Sequence, residues 1–203
     1  MPESRSEALP PTLSELLDGY RGRTEAEEAD LSRVKALAAD AADPWLRSSA
    51  LHATASALIV HPPTRRVLLR WHARQRTWLH VGGHGDPGET RPLQVAAREA
   101  HEETGLGDLV AWPEATLLHL AVVPVPASAV EPAHEHADLR FVLATSTPQA
   151  AVPENPGAAL RWLSLPEAAT ATASRSLRES LTRLGSRLDA VAATTGPPAA
   201  GDT

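Results

Sequence analysis

Between Gly82 and Leu106 the sequence reads GGHGDPGETRPLQVAAREAHEETGL, and this stretch limits what the rest of the chain can build. Gly82, Gly83, Gly85 and Gly88 permit backbone geometry that a side chain would block, so a glycine-rich turn is expected. A helix follows from about Arg91 to Thr104. Thr90 is a fitting N-cap, Pro92 is tolerated in the first turn, and Gly105 stands where a left-handed C-cap is wanted. Leu93, Ala97 and Ala100 form its buried stripe, and the small alanines allow close packing on a sheet. Glu99, Glu102 and Glu103 fall at i, i+3 and i+4, so they share one face. Oxygen ligands grouped in this way suit Mg2+ or Mn2+, with water or phosphate in the remaining positions. The same spacing also describes a solvated helix face.

The whole chain narrows the chemistry. Its 203 residues suffice for one domain with an extension. A net charge of −6 gives no general attraction to duplex nucleic acid or anionic lipid. An acidic protein that handles phosphates needs a cation to offset the repulsion. Cysteine is absent, which excludes disulfides, thiolate zinc sites and a cysteine nucleophile. No apolar run approaches membrane-spanning length, and the opening MPESRSEALPP lacks a signal-peptide core. A cytoplasmic protein with no membrane contact is the expectation.

Ahead of the central stretch, residues 1–11 form a polar lead. Thr12 to Glu15 and Thr24 to Glu27 each have the form of a helix capping box. Leu13, Leu16 and Leu17 give the first helix an apolar face. Leu31, Val34 and Ala38 do the same for the second, which runs to about Ala42. These helices are expected to pack on the domain or on a second subunit, and a homodimer is in keeping with them.

From His52 the period changes to that of strands. Residues 53–60 and 66–71 read as a hairpin, and 78–81 as a short strand leading into the glycines. Residues 116–125, 139–145 and 160–164 read as further strands, with a loop at 126–137. Ser164 to Glu167 opens another helix by capping logic. Leu177, Leu181, Leu184 and Leu188 recur at helical spacing. The sequence thus divides into a lead and helical extension (1–43), a domain (44–190) and a disordered tail (191–203). The mixture indicates an α+β sandwich around one mixed sheet.

The central stretch resembles the Nudix hydrolase signature, G-x5-E-x7-R-E-U-x-E-E-x-G-U with U aliphatic. Gly83 and Glu89 match its first half, and Arg98 to Leu106 its second, with Ala100 and Leu106 at the aliphatic positions. Eight residues, not seven, separate Glu89 from Arg98. The extra residue falls in the turn before Pro92, which leaves the helical phase of Arg98 to Glu103 intact. Residues 45–190 also look like the corresponding parts of bacterial Nudix proteins.

The resemblance implies a Nudix-like α/β/α sandwich around a mixed β-sheet. It also implies Mg2+- or Mn2+-dependent hydrolysis of a pyrophosphate bond in a nucleoside diphosphate linked to another moiety. Such a reaction needs a positioned water and neutralised phosphate charge, both of which a divalent metal supplies. Glu99, Glu102 and Glu103 would then be metal ligands, with Glu89 an outer or occasional one. Arg98 would reach back to Glu89 in a bidentate pair. Glu103, Glu102 and Arg98 would form the catalytic group. The general base would be Glu103 or one of Glu131, Glu135 and Glu154.

Gly83, His134, His136 and Asp138 are candidates for contact with the small nucleotide-like substrate. His84 and His101 are read as structural or exposed, and Trp78 and Trp162 as core. A non-catalytic nucleotide-binding module on the same fold is the alternative. Markers of particular substrates are missing: the motifs of NADH and coenzyme A pyrophosphatases are absent. Pro124 falls late for an ADP-ribose pyrophosphatase. Tyr20, the only tyrosine, lies far upstream of where a dinucleotide polyphosphate hydrolase carries one.

Overall fold

The structure is a computed structural model that describes residues 9–195, with side chains through 194. Its spine is β1 (Leu51–His61), where apolar and polar side chains alternate from Leu51 to Ala57 and so face opposite sides of the sheet, after which Leu58, Ile59 and Val60 are apolar on both faces. β7 (His134–Ala144) runs parallel to β1 over ten paired residues, from Leu51↔Glu135 to Val60↔Ala144. The other edge of β1 is shared. β2 (Arg66–His72) pairs with its last residues, and β4 (Val81–His84) with Thr54 to Ala57, both antiparallel. β3 (Thr77–Leu79) and β8 (Leu160–Ser164) add to β2, while β5 (Val110–Ala111) and β6 (His119–Val125) add to β7. The result is a mixed sheet, as an α+β fold was expected to have, with eight strands.

One face of β1 carries Ala53, Ala55, Ala57 and Ile59. With Leu139, Phe141 and Leu143 of β7 it is covered by α1 (Leu13–Gly19), α2 (Glu25–Asp40) and α3 (Pro92–Thr104). Ala96 and Ala100 are fully buried in α3 and let it approach the sheet closely. Gly105 ends α3 with φ +67°, the left-handed conformation that its sequence position called for. The other face is divided. Its far half (Leu58, Val60, Val142, Ala144) is covered by α4 (Leu165–Ala171) and α5 (Arg175–Thr195), which bury Leu177, Leu181, Leu184 and Leu188. Truncating one of these leucines to alanine costs about 2–5 kcal/mol. Its near half is polar: His52, Thr54, Ser56 and Asp138 are buried there without a helix above them.

The N-terminal helices belong to the same core, and the first capping box forms as expected. The second forms only in part. The Thr24 hydroxyl accepts from the Glu27 amide, but the Glu27 carboxylate turns inward. It receives both Arg183 guanidinium nitrogens at 2.7 Å, the Arg23 amide at 2.7 Å, the Leu120 amide at 3.3 Å and the Tyr20 hydroxyl. Asp30 accepts from the Val122 amide at 2.9 Å. Two carboxylates of α2 thus take backbone donors along the free edge of β6, which would otherwise invite pairing with another strand.

Other boundaries differ from the sequence expectation. β4 runs through Gly82 and Gly83, so these glycines belong to a strand and the turn lies beyond them at 85–89. β7 begins at His134, inside the expected loop, because ten residues of β1 are available to pair with it. β6 starts at His119, not Thr116, and α2 stops at Asp40. The N-cap of α3 is Arg91, not Thr90, and makes no side-chain cap bond. α5 remains helical to Thr195, so the tail expected from 191 begins as helix, and 196–203 lie outside the described residues. Among the described residues no helix is long and apolar enough to cross a membrane.

Candidate active site

Arg98 is the hub of the α3 face. Its Nε and Nη2 donate to the two oxygens of Glu89 at 3.2 and 2.8 Å, the bidentate geometry that fixes a loop to a helix. Nη1 donates to Glu99 and Glu102, each at 3.0 Å, and Nη2 also reaches the His84 carbonyl at 2.9 Å. The extra residue before Pro92 leaves the Glu89 pairing intact, because the longer turn is held elsewhere. The Leu13 amide donates to the Thr90 carbonyl at 3.2 Å, and Arg91 donates to the Pro10 carbonyl. The departure from the family spacing therefore lies where the N-terminal helices dock.

Glu103 faces away from Arg98. One oxygen accepts from the Gly82 amide at 3.1 Å, and the other lies 3.2 Å from Arg70. Burial pushes its carboxyl up to about 7; Arg70 and the Gly82 amide pull downward, and Glu99 and Glu154 add repulsion. Burial also raises the Glu99 carboxyl against the pull of Arg98. Glu89, bound on both oxygens by Arg98, is lowered. A Cβ on Gly83 would come within 2.6 Å of the Glu99 carboxylate, so only glycine leaves that carboxylate its place.

A cavity of about 260 Å³ opens beside Glu103 on the polar half of the sheet. Arg70, Arg74, Gly82, Gly83, His84 and His136 line it, so its wall is richer in cations than the protein as a whole. Asp138 lies at its floor with both oxygens engaged. Ser56 donates to one at 2.6 Å; Arg140 Nε and His80 Nε2 lie 2.7 and 3.2 Å from the other. Burial opposes its ionisation, but Arg140, His80 and Ser56 together hold the carboxyl far below the usual range. Arg140 is itself tied to Ser176 and Ser180 of α5. Asp138 therefore fixes the floor and has no free oxygen to offer a substrate.

The structure brings His134 and His136 together, but on a strand and not in a loop. His52 of β1 and His84 of β4 join them, with ring centroids 4.9–5.2 Å apart in the neighbouring pairs. His84 is thus a member of a cluster and not merely exposed or structural. His101 does stay structural, with Nδ1 2.9 Å from the Leu106 carbonyl at the end of α3. Trp78 lies under Arg161 and edge-on to Trp71, and Trp162 donates to the Pro148 carbonyl at 2.9 Å.

The loop glutamates separate clearly. Glu154 is 3.4 Å from Arg70 and neighbours Glu103, Glu131 faces Arg74, and Glu135 pairs with Arg33 of α2, away from the cavity. Sequence reading passed over Arg70, Arg140, His52 and His80. The period-2 run His134, His136, Asp138, Arg140 was the available signal for a polar strand face.

The NUDIX domain family model matches residues 50–184. The chain belongs to the Nudix family. Its fold is shared with an Ap4A hydrolase of C. elegans in a binary complex, at 18% identity and a TM-score of 0.53 over 68% of this chain and 98% of that one. The E. coli dihydroneopterin triphosphate pyrophosphohydrolase aligns at 24% identity and a TM-score of 0.49, over 64% of this chain and 92% of that one. No curated protein matches the sequence. As a Nudix hydrolase the chain is an enzyme of the pyrophosphohydrolase class, and its box is the Gly83 to Leu106 segment described above.

Proposed function

We propose that this Nudix hydrolase cleaves the pyrophosphate bond of a nucleoside diphosphate linked to another moiety, and that it does so with Mg2+ or Mn2+. The observation that carries the reading is Glu103: a largely buried glutamate, pushed up to about 7, at the edge of a cavity that Arg70, Arg74 and Arg140 also line. The donor set fits a hard dication. It consists of carboxylate oxygens, and the two most buried, on Glu99 and Glu103, are held where a nearby positive charge would favour their ionised form. Glu99, Glu102 and Glu103 would hold the ion, with Glu89 behind Arg98. A bound metal would supply an acidified water and neutralise charge on phosphate oxygens.

The chain's own groups account for the remaining tasks. Arg70 and Arg74 face the cavity as partners for phosphate oxygens. Arg98 keeps Glu99 and Glu102 oriented and ties the Glu89 loop to α3. Glu103, ionised above about pH 7, is placed to accept a proton from the attacking water, and Glu154 beside Arg70 is the loop glutamate nearest to that task. Gly83, His84 and His136 line the side on which the rest of the substrate would lie. On this reading residues 44–190 carry the chemistry, and the helices before them close the β6 edge.

The test is a panel of nucleoside diphosphate derivatives incubated with Mg2+ or Mn2+, with phosphate-containing products separated and quantified. Metal-dependent cleavage of a P–O–P bond, lost in Glu103→Gln, is the expected outcome. Tight ligand binding without cleavage, unchanged in Glu103→Gln, would make the chain a binding module instead.

A further inference from the structure

The four-histidine cluster lies outside the carboxylate face, and although His84 and His136 also border the substrate cavity, none of the four has a role in the metal or proton steps above. Three adjacent strands build it. His52 of β1 sits beside His136 of the parallel β7, and His84 of β4 lies opposite Thr54, two residues along β1 from His52. His134 and His136 are two apart on β7 and so share a face. The imidazole atoms of His52, His84 and His136 that could bind a metal all lie within 4.8 Å of one another. His84 Nε2 is 3.1 Å from His52 Nε2, and His134 Nε2 is 3.1 Å from His136 Nε2. Nitrogens bound to one tetrahedral zinc at about 2.0–2.1 Å lie roughly 3.3–3.4 Å apart, close to these separations.

The far side of two of the rings is also arranged. His52 Nδ1 lies 2.9 Å from the Ser49 carbonyl, and His134 Nδ1 lies 2.9 Å from the Pro132 carbonyl. A carbonyl can only accept, so each Nδ1 carries the proton. The Nε2 lone pair of each then points into the cluster, the tautomer a metal-ligating histidine needs, fixed as it is in metalloproteins. A second group, Glu27, His119 and Glu179, has comparable spacing, but the Arg183 guanidinium already bridges its two carboxylates at 2.7 and 2.5 Å. Among the described residues no arginine or lysine hydrogen-bonds into the histidine cluster. It separates the 260 Å³ cavity, lined by His84 and His136, from one of about 390 Å³, lined by His52, His84 and His134, so an ion has a route in. Arg47 and Glu131 also line the second cavity and set opposite charges near it.

We propose that His52, His84, His134 and His136 form a binding site for a borderline transition-metal dication (Zn2+, Co2+ or Ni2+), distinct from the glutamate site on α3. An all-imidazole donor set suits these ions and not the hard Mg2+. Four imidazoles would close the coordination sphere, so the ion would pin β4, β1 and β7 together at the cavity wall and not bind water for catalysis.

The experiment is Zn2+ and Co2+ titration of chelator-stripped full-length protein, followed by competition with a chromophoric chelator and by the visible spectrum of the Co2+ form. One ion per chain with a tetrahedral nitrogen-ligand Co2+ spectrum is expected. Affinity should fall about 100-fold in His52→Gln/His136→Gln and about 10-fold in the rim variant His134→Gln. Glu103→Gln should bind as the wild type does. Absence of stoichiometric Zn2+ or Co2+ binding in the wild type overturns the proposal. So does binding that survives His134→Gln and the double variant but is lost in Glu103→Gln. The wild-type result stands even if the double variant fails to fold.

Discussion

Glu27, buried, and Glu103, its side chain 13% exposed, are both helical glutamates beside an arginine, and each accepts from a strand amide, Leu120 in one case and Gly82 in the other. They end at opposite extremes. Burial pushes both carboxyls up, but around Glu27 Arg183, the Arg23 amide and Tyr20 more than offset it, leaving that carboxyl at about 2. Glu103 has only Arg70 and the Gly82 amide, with Glu99 and Glu154 repelling it, and rises to about 7. Burial alone does not mark a functional carboxylate. Both glutamates line a cavity; what distinguishes Glu103 is that Arg70 and the Gly82 amide leave part of its demand for positive charge unmet, whereas that of Glu27 is met within the fold. Arg183 at the one and a bound cation at the other would be physically equivalent answers to the same desolvation cost.

Substitutions should separate the two sites. The largest effect is expected in Glu103→Gln, which should lower kcat by about 10²–10⁴-fold without lowering Tm, measured by steady-state turnover and thermal melting. Arg183→Ala should do the reverse. It leaves Glu27 charged and unpaired in the core, costs about 3–5 kcal/mol in denaturant unfolding, and preserves turnover per folded molecule.

The pH dependence of stability carries opposite signs. Glu27 is lowered below its ordinary 4.5, so the stability it contributes is present above that pH and lost as pH falls towards 2. Glu103 is raised from 4.5, so its share is present below 4.5 and lost as pH rises through about 7. Melting curves of metal-free protein should accordingly show Glu103→Gln gaining on the wild type as pH rises from about 5 to about 8, across the titration of that carboxyl. Arg70→Gln removes a downward pull on Glu103, so the acid limb of kcat/KM should move to higher pH. The smallest effect belongs to Arg33→Ala. It breaks the exposed Glu135 pair and should change stability by less than about 1 kcal/mol.

Legibility in the sequence followed the range of the interactions involved. The box was readable because α3 sets the relative places of Arg98, Glu99, Glu102 and Glu103 within one helix, and Gly105 signalled its end. The leucines of α5 were readable for the same reason. Glu27 was not: its spacing from Thr24 fits a capping box, but its decisive partner, Arg183, is 156 residues away. The glycine-bearing β4 has no side-chain alternation through Gly82 and Gly83 to announce a strand. The polar first half of β7 looks like a loop until β1 is placed beside it. The histidine cluster needs the register of three strands, which no local pattern states.

On the proposed reading Glu103 is a carboxyl kept partly protonated near neutral pH until a hard cation arrives among the box glutamates. Proton release on adding Mg2+ to metal-free protein near pH 6.5 tests it most directly, since imidazoles compete poorly for Mg2+. Release of a large part of one proton per chain, roughly 0.75 at that pH for a group titrating near 7, is expected, with its loss in Glu103→Gln. Mg2+ binding with no proton release, or the same release from Glu103→Gln, would contradict it.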